Sequence, residues 1–575
     1  MFGKGRGESE ASGFKLIIFT DSEHAVPLVA LSMAVSGLSF ACRPHFSLRP
    51  PVFYCFRRNG LGSFAAIQTV DEPESAFSDI FRTLDTSHGK GSRVLGVKVG
   101  EGNLKMAEWK KIDSKDLGIS TSKIAKPTKR VLNCLRKGGY EVYLVGGCVR
   151  DLILNRTPKD FDIITTAELR EVKSAFSRCQ IVGRRFPICH VHIDDTVVEV
   201  SSFSTSAQKF HRDLSHEFGR PCGCDEKDYL RWRNCLQRDF TINGLMFDPY
   251  AKIVYDYTGG IEDIRKTKVR TVIPAAASFQ EDCARILRAI RIAARLEFRF
   301  TRETAHFVKN LSCSILRLDR SRLLMEMNYM LAYGSAEASL RLLWKFGLLE
   351  ILLPFQAAYF VHQGFKRRDK RSNMLLEVNI LTAQSSLFSN LDRLLAPDRP
   401  CHSSLWVGIL AFHKALSDQP RDPLVVTAYC LAVHHGGDML QAVKISRSIN
   451  KPHESSFYEL SEPQDLDSQM LIEEVMDLAA SVKQALCDLT DEYLVSKAMS
   501  AYPQAPFSDL VYIPLQLFLK VRGVLECVVE GAEKGFVPKR HGKINYEALA
   551  LGNLQEIRHT FARVVVDTIF PQNPT

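Results

Sequence analysis

The segment that most constrains this 575-residue chain is LVGGCVRDLILNRTPKDFDIITT, which runs from Leu144 to Thr166. An apolar run there ends in a glycine pair, and a second apolar run follows two aspartates. Strand alternation predicts that Asp160 and Asp162 share one face while Phe161 and Ile163 enter the core. Neighbouring carboxylates repel each other unless a cation lies between them, and Mg²⁺ prefers oxygen ligands. We therefore expect a two-ion site for Mg²⁺, or for Mn²⁺ in its place, held by Asp160 and Asp162.

The glycine pair that precedes these aspartates predicts a phosphate-binding turn. Gly146 and Gly147 let backbone N–H groups approach a triphosphate, and the N-terminus of the following helix favours negative charge. Arg150 can bind phosphate oxygens directly. The turn is neither a Walker A loop, because no GK[ST] follows, nor a dinucleotide-binding fingerprint.

A two-metal phosphoryl-transfer site usually takes a third carboxylate from a neighbouring strand. Glu199 is the acid inside the strand-like run DTVVEVSSF, so it is the candidate. Asp194 and Asp195 are more typical of a hairpin turn. We expect the catalytic carboxylates to be Asp160, Asp162 and Glu199.

The order of patterns along the chain predicts an α+β protein with a mixed-sheet head followed by an all-α neck, body and tail. Strand patterns end near Phe279, and helical periodicity dominates from there. Before the first strand, TSKIAKPTKRVLNCLRKGGY reads as a helix that ends at its Gly-Gly pair. The expected divisions are an N-terminal extension at 1–70, a linker at 71–117, the head at 118–280, the neck at 281–360 and the body and tail at 361–575.

Composition adds expectations about partners and redox state. The net charge of +10 favours polyanionic partners such as nucleotides and RNA. The 15 scattered cysteines argue for reduced thiols rather than a disulfide framework. A zinc site at Cys222, Cys224 and Cys235 stays open as an alternative, although no CxxC pair is present. The apolar run near 26–42 is a poor membrane span, so we expect no membrane partner.

The N-terminal segment from His24 to Val70 contains no Asp or Glu but repeats Arg, Ser and aromatic residues. This composition is typical of a mitochondrial or plastid transit peptide, with Met33 as a natural start. An untargeted tail, in a protein of the cytoplasm or nucleus, is the alternative.

Several long blocks in order resemble the class II tRNA nucleotidyltransferase and bacterial-type poly(A) polymerase family. The opening segment is similar to the family signature. The further blocks are QRDFTINGLMFDP, VYDYTGGIEDIRKTKVRTV, EDCARILRAIRIAARLEF and LLWKFGLLEILLP, so the resemblance covers roughly residues 118–355.

The resemblance implies a polymerase β-like nucleotidyltransferase head in which an RNA 3′-OH attacks the α-phosphate of ATP and pyrophosphate leaves. It implies that Gly147 and Arg150 hold triphosphate and that Asp160 and Asp162 hold the metals. The resemblance extends the nucleotide-binding set to the ribose and phosphate block Arg238, Asp239 and Asn243, the base-reading residues Asp282 and Arg285, and the nearby Arg288 and Arg291. Helical spacing independently places Arg285, Arg288 and Arg291 on one side of a helix.

Departures from the family pattern occur at Gln237, Ser204 and Gly244. The first two stand where relatives carry arginine, and the third replaces a more usual small side chain. These positions could tune or weaken nucleotide binding.

The active-site blocks do not separate poly(A) synthesis from CCA addition to tRNA. The segment IVGRRFPICHV, at 181–191, resembles an element of the poly(A) polymerase branch and favours adenylate addition to an RNA 3′ end, of mRNA or tRNA. A non-catalytic RNA-binding relative is a third possibility, and His413 with HHGGD suggests an appended phosphohydrolase. Expected phosphate contacts in the helical arm are Lys366, Arg367, Arg368, Lys370, Arg371, Lys539, Arg540 and Lys543.

Overall fold

The computed structural model describes the chain from residue 108 onward, with short gaps. The described residues are 108–183, 187–207, 224–364, 383–395, 399–449, 451–454, 457, 459–502, 508–540 and 542–571. All of them lie within one compact unit. The expected N-terminal extension and transit peptide therefore lie outside the described residues, as do Cys222 and the basic run 366–371.

The head is built on a mixed sheet with strand order β1-β8-β7-β2-β3-β6-β5-β4. Neighbouring strands are antiparallel except β3 and β6, which run parallel. The strands are β1 Lys110–Asp113, β2 Val142–Val145, β3 Asp162–Thr165, β4 Cys179–Val182, β5 Ile188–Ile193, β6 Thr196–Ser202, β7 Leu245–Asp248 and β8 Ile253–Asp256. A separate parallel pair joins β9 Lys268–Val269 to β10 Arg299–Phe300.

The two faces of this sheet pack against different cores. Leu144 and Ile163 point into a large apolar core that continues through the helical region. Tyr143 and Ile164 point into a smaller cluster that includes Trp232. Because successive strand residues alternate in direction, Asp162 lies on the same face as Ile164.

Strand β1 lies within the stretch expected to be linker. Its residues Lys110–Asp113 pair with β8 from Lys110↔Asp256 to Asp113↔Ile253. The sheet therefore begins ahead of the expected head boundary at residue 118. The strand has the polar sequence KKID and no apolar alternation that would have marked it.

Among the described residues after β8, helices are the main regular structure and only the short β9–β10 pair is extended, so the α+β class with a mostly helical continuation is confirmed. In the head and neck they are Lys126–Lys137, Gly147–Ile153, Leu169–Ala175, Phe203–Ala207, Glu226–Leu236, Gly260–Arg265, Ala275–Glu281, Ala284–Leu296, Arg302–Asn310, Arg320–Leu331, Ala336–Phe346, Leu349–Leu352 and Pro354–His362. In the body and tail they are Ala383–Leu395, Ser403–Asp418, Pro423–His434, Met439–Arg447, Ser468–Thr490, Glu492–Ala498, Leu515–Leu525, Cys527–Glu530, Tyr546–Leu551 and Leu554–Ile569. None of the helices in the described part of the chain combines the length and apolar character needed to cross a membrane.

Two of these helices position the candidate site. The glycine-turn helix, Gly147–Ile153, starts directly at the end of β2 because Gly146 adopts φ 80° and ψ −141°. The arginine helix, Ala284–Leu296, starts after Asp282 and ends at Glu297, which adopts a left-handed conformation. The first delivers Arg150 and the second delivers Arg288 to the same side of the head.

Candidate active site

The parallel pairing of β3 with β6 sets two carboxylates side by side. Asp162 is directly opposite Glu199 in the register, and residues in register point to the same face. Asp160 lies two residues ahead of β3 and is exposed, while Phe161 between them is buried. The predicted alternation of Asp160, Phe161, Asp162 and Ile163 is thus present in the burial pattern. The candidate third carboxylate also lies beside Asp162, as its place on a strand suggested.

The surroundings of Asp162 disfavour the ionised form of its carboxyl group. Burial raises the pKa of the Asp162 carboxyl to about 6, and the charges of Glu199 and Asp160 act in the same direction. Arg238 and Arg288 oppose this effect without cancelling it. The ionised form of Asp162 is therefore disfavoured mainly by burial, and the two neighbouring carboxylates add to this effect.

His190, which the sequence alone did not single out, extends this row by one strand. In the antiparallel pairing of β5 with β6, His190 is opposite Glu199, and its Nε2 lies 3.7 Å from a Glu199 carboxylate oxygen. Burial lowers the pKa of His190, which favours the neutral imidazole beside Glu199. Alternation in CHVHIDD puts both His190 and His192 on one face, and only the register selects His190.

Gly146 brings the backbone close to this cluster. A Cβ at this position would lie 2.9 Å from Nη1 of Arg238 and 3.4 Å from Oδ2 of Asp162. Arg238 therefore reaches from the RDFTIN block to the glycine turn beside Asp162. Its buried Nε has no hydrogen-bond partner among the described residues. The fold thus brings Gly146 and Asp162 of the opening segment together with Arg238 of the RDFTIN block.

A chain of polar contacts joins the glycine-turn helix to the arginine helix. Arg150 donates from Nη1 to Oδ1 of Asn243 at 2.6 Å and from Nη2 to Asp151 at 2.8 Å. Asn243 donates to Oδ1 of Asp239 at 3.0 Å, and Nη2 of Arg288 lies 2.8 Å from Oδ2 of Asp239. Three motif blocks that are distant in the sequence thus meet through direct contacts.

The charge of Asp239 is well supported within this chain of contacts. Burial alone would raise its pKa, but Arg288 and the hydrogen bonds from Asn243 and the Phe240 N–H hold the pKa below its usual value. Asp239 in turn raises the pKa of Arg288. Asp239 therefore acts as an ionised anchor that orients Asn243 and Arg288.

The expected base-reading residues have different surroundings. Arg285 is buried, with its Nη1 2.9 Å from Oε2 of Glu281 and 3.0 Å from Oγ of Ser278. Asp282 instead accepts from the N–H of Ala284 at 3.1 Å. Their backbones meet, but the structure shows no side-chain contact between Asp282 and Arg285 in the described residues.

Arg291 lies farther along the arginine helix, and its described contacts are with the neck. Its Nε is 3.4 Å from Oε2 of the buried Glu326, and its guanidinium lies over the Tyr329 ring at 5.0 Å. Burial lowers the pKa of Arg291. The contacts of this arginine favour a link between the arginine helix and the neck helix Arg320–Leu331 rather than a direct approach to the carboxylates.

The positions that depart from the family pattern have separate local explanations. A Cβ at Gly244 would lie 2.9 Å from Oγ1 of Thr258, so the turn has no room for a side chain. Ser204 is exposed and shares a 2.9 Å hydrogen bond with Ser202. Gln237 accepts from Nη2 of Arg285 through its backbone oxygen at 3.4 Å, a contact that does not depend on its side chain.

The other metal hypotheses gain no geometric support. No group of three or more His, Cys, Asp or Glu side chains placed to hold a metal occurs in the described ranges, and this includes the set Asp160, Asp162 and Glu199. His413 is buried inside the helix Ser403–Asp418, and His434 ends the helix Pro423–His434 and packs against His559. Cys235 is buried in the smaller head cluster. Lys539 is paired with Glu556, which removes it as a free phosphate ligand.

The fold and this site together define a nucleotidyltransferase-type head followed by a helical region. Residues 142–270 match the family model described as "Poly A polymerase head domain", and residues 297–360 match "Probable RNA and SrmB- binding site of polymerase A". The resemblance inferred from the motif blocks is therefore confirmed.

Curated relatives fall into two groups. The chain is 32% identical to a poly(A) polymerase I of Haemophilus influenzae over 44% of this chain and 56% of the relative. It is 34% identical to a CCA-adding enzyme of Bacillus pumilus over 34% of this chain and 48% of that one. The chain thus spans about half the length of the curated relatives it matches. Relatives of both groups are nucleotidyltransferases.

A solved structure is similar at lower identity. The CCA-adding enzyme of Bacillus stearothermophilus in complex with CTP aligns with 76% of this chain and 83% of its own, at 22% identity and a TM-score of 0.38.

Proposed function

We propose that this protein is a template-independent RNA nucleotidyltransferase that adds adenylate from ATP to RNA 3′ ends and releases pyrophosphate. The observation that carries the proposal is the register of Asp162 opposite Glu199, directly beside the Gly146 turn and Arg238. A carboxylate pair next to an anion-binding turn is the arrangement that phosphoryl transfer from a nucleoside triphosphate needs.

The residues divide between the triphosphate and the reacting oxygens. The backbone at Gly146 and Gly147, with Arg150 and Arg238, binds phosphate oxygens. The guanidinium of Arg150 is already oriented by Asn243 and Asp151. Such preorganised donors are effective because they need no rearrangement as charge develops.

The arginine helix and its neighbours would hold the rest of the nucleotide. Asp239 and Asn243 face the ribose, with Arg288 beside them. Asp282 and Arg285 read the base edge. For this, Arg285 either leaves its contact with Glu281 to bind the base, or binds the base through the N–H groups that do not contact Glu281. Arg291 supports this surface from the neck side.

A divalent cation fits the carboxylate cluster on chemical grounds. The raised pKa of Asp162, about 6, reflects burial together with the charges of Glu199 and Asp160, which a cation would offset. Asp160 and Asp162 are the proposed ligands, and Glu199 completes the catalytic carboxylates. When bound, Mg²⁺ or Mn²⁺ would polarise the α-phosphate and stabilise the attacking and leaving oxygens.

Of the alternatives, one has specific support. CCA addition to tRNA is supported by the CCA-adding relatives, which match the chain at a similar identity to that of the poly(A) polymerases. Adenylate addition is favoured by IVGRRFPICHV, of which residues 184–186 lie outside the described residues. A catalytically weak RNA-binding relative is the alternative of another class, but the carboxylate pair is intact.

The test supplies the full chain with Mg²⁺ and either ATP or CTP, using generic RNA or a tRNA that lacks CCA. We expect ATP to extend both RNAs into adenylate tails and CTP to be incorporated poorly. CTP incorporation confined to tRNA would contradict the poly(A) assignment. Binding of RNA without any extension would favour the non-catalytic alternative. The organellar location stays a prediction, because its segment lies outside the described residues.

A further inference from the structure

Two tyrosines of the neck lie near the candidate active site and are not among the residues assigned to nucleotide binding or catalysis. Tyr329 is in the tyrosine helix, Arg320–Leu331, and Tyr333 lies just beyond its end. Their ring centroids are 5.5 Å apart, and we call them the tyrosine pair. Tyr329 is partly exposed, and Tyr333 is 9% exposed.

Other sides of the tyrosine helix are fixed to the body. Nε1 of Trp406 donates to Oδ1 of Asn328 at 3.1 Å, and the N–H of Cys401 donates to the carbonyl of Ala332 at 3.0 Å. Met327 and Met330 are fully buried. These contacts on the other faces hold the tyrosine pair in a fixed direction.

That direction is toward the head carboxylates. Nζ of Lys159, the residue next to Asp160, lies over the Tyr333 ring at 4.6 Å. After burial and nearer charges, the charges of Asp160 and Glu199 also raise the pKa of the Tyr329 hydroxyl. The contact of Lys159 with the Tyr333 ring therefore places the tyrosine pair beside the segment that carries Asp160.

Two cations flank the pair. Lys159 is exposed and lies over Tyr333, while Arg291 lies over Tyr329 at 5.0 Å. Aromatic rings beside cations are the usual surface for single-stranded RNA, because bases stack on the rings and phosphates pair with the cations. Neighbouring carboxylates would repel an anionic ligand unless its reacting hydroxyl, rather than a phosphate, were directed at them.

We propose that Tyr329 binds the 3′-terminal nucleotide of the RNA and positions its 3′-OH at the carboxylates, with the buried Tyr333 packed beside it. The inference rests on the proposed function for the identity of the reacting hydroxyl. Tyr329 is a positioning residue whose ring supports the terminal base, and the exposed Lys159 lies next to the phosphates of that end.

The binding arm of the test does not require catalysis. A single-stranded RNA with 8-azidoadenosine at its 3′ end is irradiated with the full chain, and trypsin then releases the peptide 323–341, which carries both tyrosines. We expect this peptide to carry the label. Labelling confined to other peptides would overturn the proposal, even if the protein extends RNA. Labelling here without extension would leave this site intact and remove the catalytic assignment.

The kinetic arm compares Tyr329→Leu with Tyr329→Phe. We expect Tyr329→Leu to raise the KM for RNA roughly tenfold while the KM for ATP changes less than about twofold. The Phe variant keeps the ring and should retain a KM for RNA near that of the wild type. Equal increases in both KM values, or a Phe variant as weak as Leu, would contradict a stacking role. Tyr493→Leu, a loss of a 73% exposed tyrosine in the body, is the matched control and should change neither KM.

Discussion

Asp162→Asn is expected to abolish nucleotide addition while making the folded protein more stable. The substitution keeps the shape of the side chain but removes the charge that would bind a divalent cation. We expect the rate of AMP incorporation to fall roughly 1,000-fold or more. The measurement is the initial rate of primer extension with ATP and Mg²⁺.

The gain in stability follows from the raised pKa. A folded-state pKa of about 6, against the model value of 3.8, means that the folded protein binds this proton more tightly than the unfolded chain does. The ionised carboxylate therefore lowers the free energy of unfolding as pH rises from about 4 through about 6. Two pKa units correspond to about 3 kcal/mol, a figure that already includes the attraction to Arg238 and Arg288, so we expect a net gain of about 1–3 kcal/mol.

The direction of this stability change is checked by denaturant unfolding of the wild type and of Asp162→Asn in the presence of a metal chelator. The advantage of Asp162→Asn should be present at pH 8 and shrink as the pH approaches about 4, where the wild-type carboxyl is protonated in both states. Asp195→Asn, at the exposed hairpin, is the control and should change neither activity nor stability. A less stable Asp162→Asn at pH 8 would contradict the account of the carboxylate cluster.

Gly146→Ala is expected to reduce activity because its new methyl group would contact Arg238. A second substitution, Gly139→Ala, would make no such contact. Gly146 has φ 80° and ψ −141°, a conformation that residues with a Cβ adopt at a cost of about 1–3 kcal/mol. The new methyl group would also lie 2.9 Å from Nη1 of Arg238. The arginine end can move, but it then leaves its place beside Asp162.

Gly139→Ala separates the cost of the backbone conformation from the effect of the contact with Arg238. Gly139 has φ 86°, and a Cβ there meets nothing within 4 Å. We expect both variants to lose about 1–2 kcal/mol of unfolding free energy, and only Gly146→Ala to lose activity, roughly 100-fold. Thermal melts and primer-extension rates measure the two quantities. Equal activity in the two variants would show that the approach of Arg238 to the turn is unimportant.

Local patterns in the sequence were sufficient for much of the head. The run before Gly146 became β2, the Gly-Gly pair ended the helix Lys126–Lys137, and Asp194 occupies the predicted hairpin turn with φ 51°. Alternation predicted the burial of Phe161 and Ile163. These features depend on a few consecutive residues, so a single sequence contains the information.

Features that depend on pairing between distant segments could not be predicted in this way. His190 is identified beside Glu199 only by the register of β5 with β6. The pairing of Arg285 with Glu281, rather than with Asp282, depends on how the arginine helix begins. The direction of Tyr329 depends on the packing of the neck against both head and body.

The most direct test of the central claim follows the phosphorus atoms of ATP. The full chain is incubated with RNA and Mg²⁺ and with ATP labelled either at the α-phosphate or at the γ-phosphate. We predict that α-label enters the RNA and that γ-label leaves as pyrophosphate in equal amount. Transfer of γ-label to the RNA, or hydrolysis of ATP without RNA extension, would contradict the assignment of this site to nucleotidyl transfer.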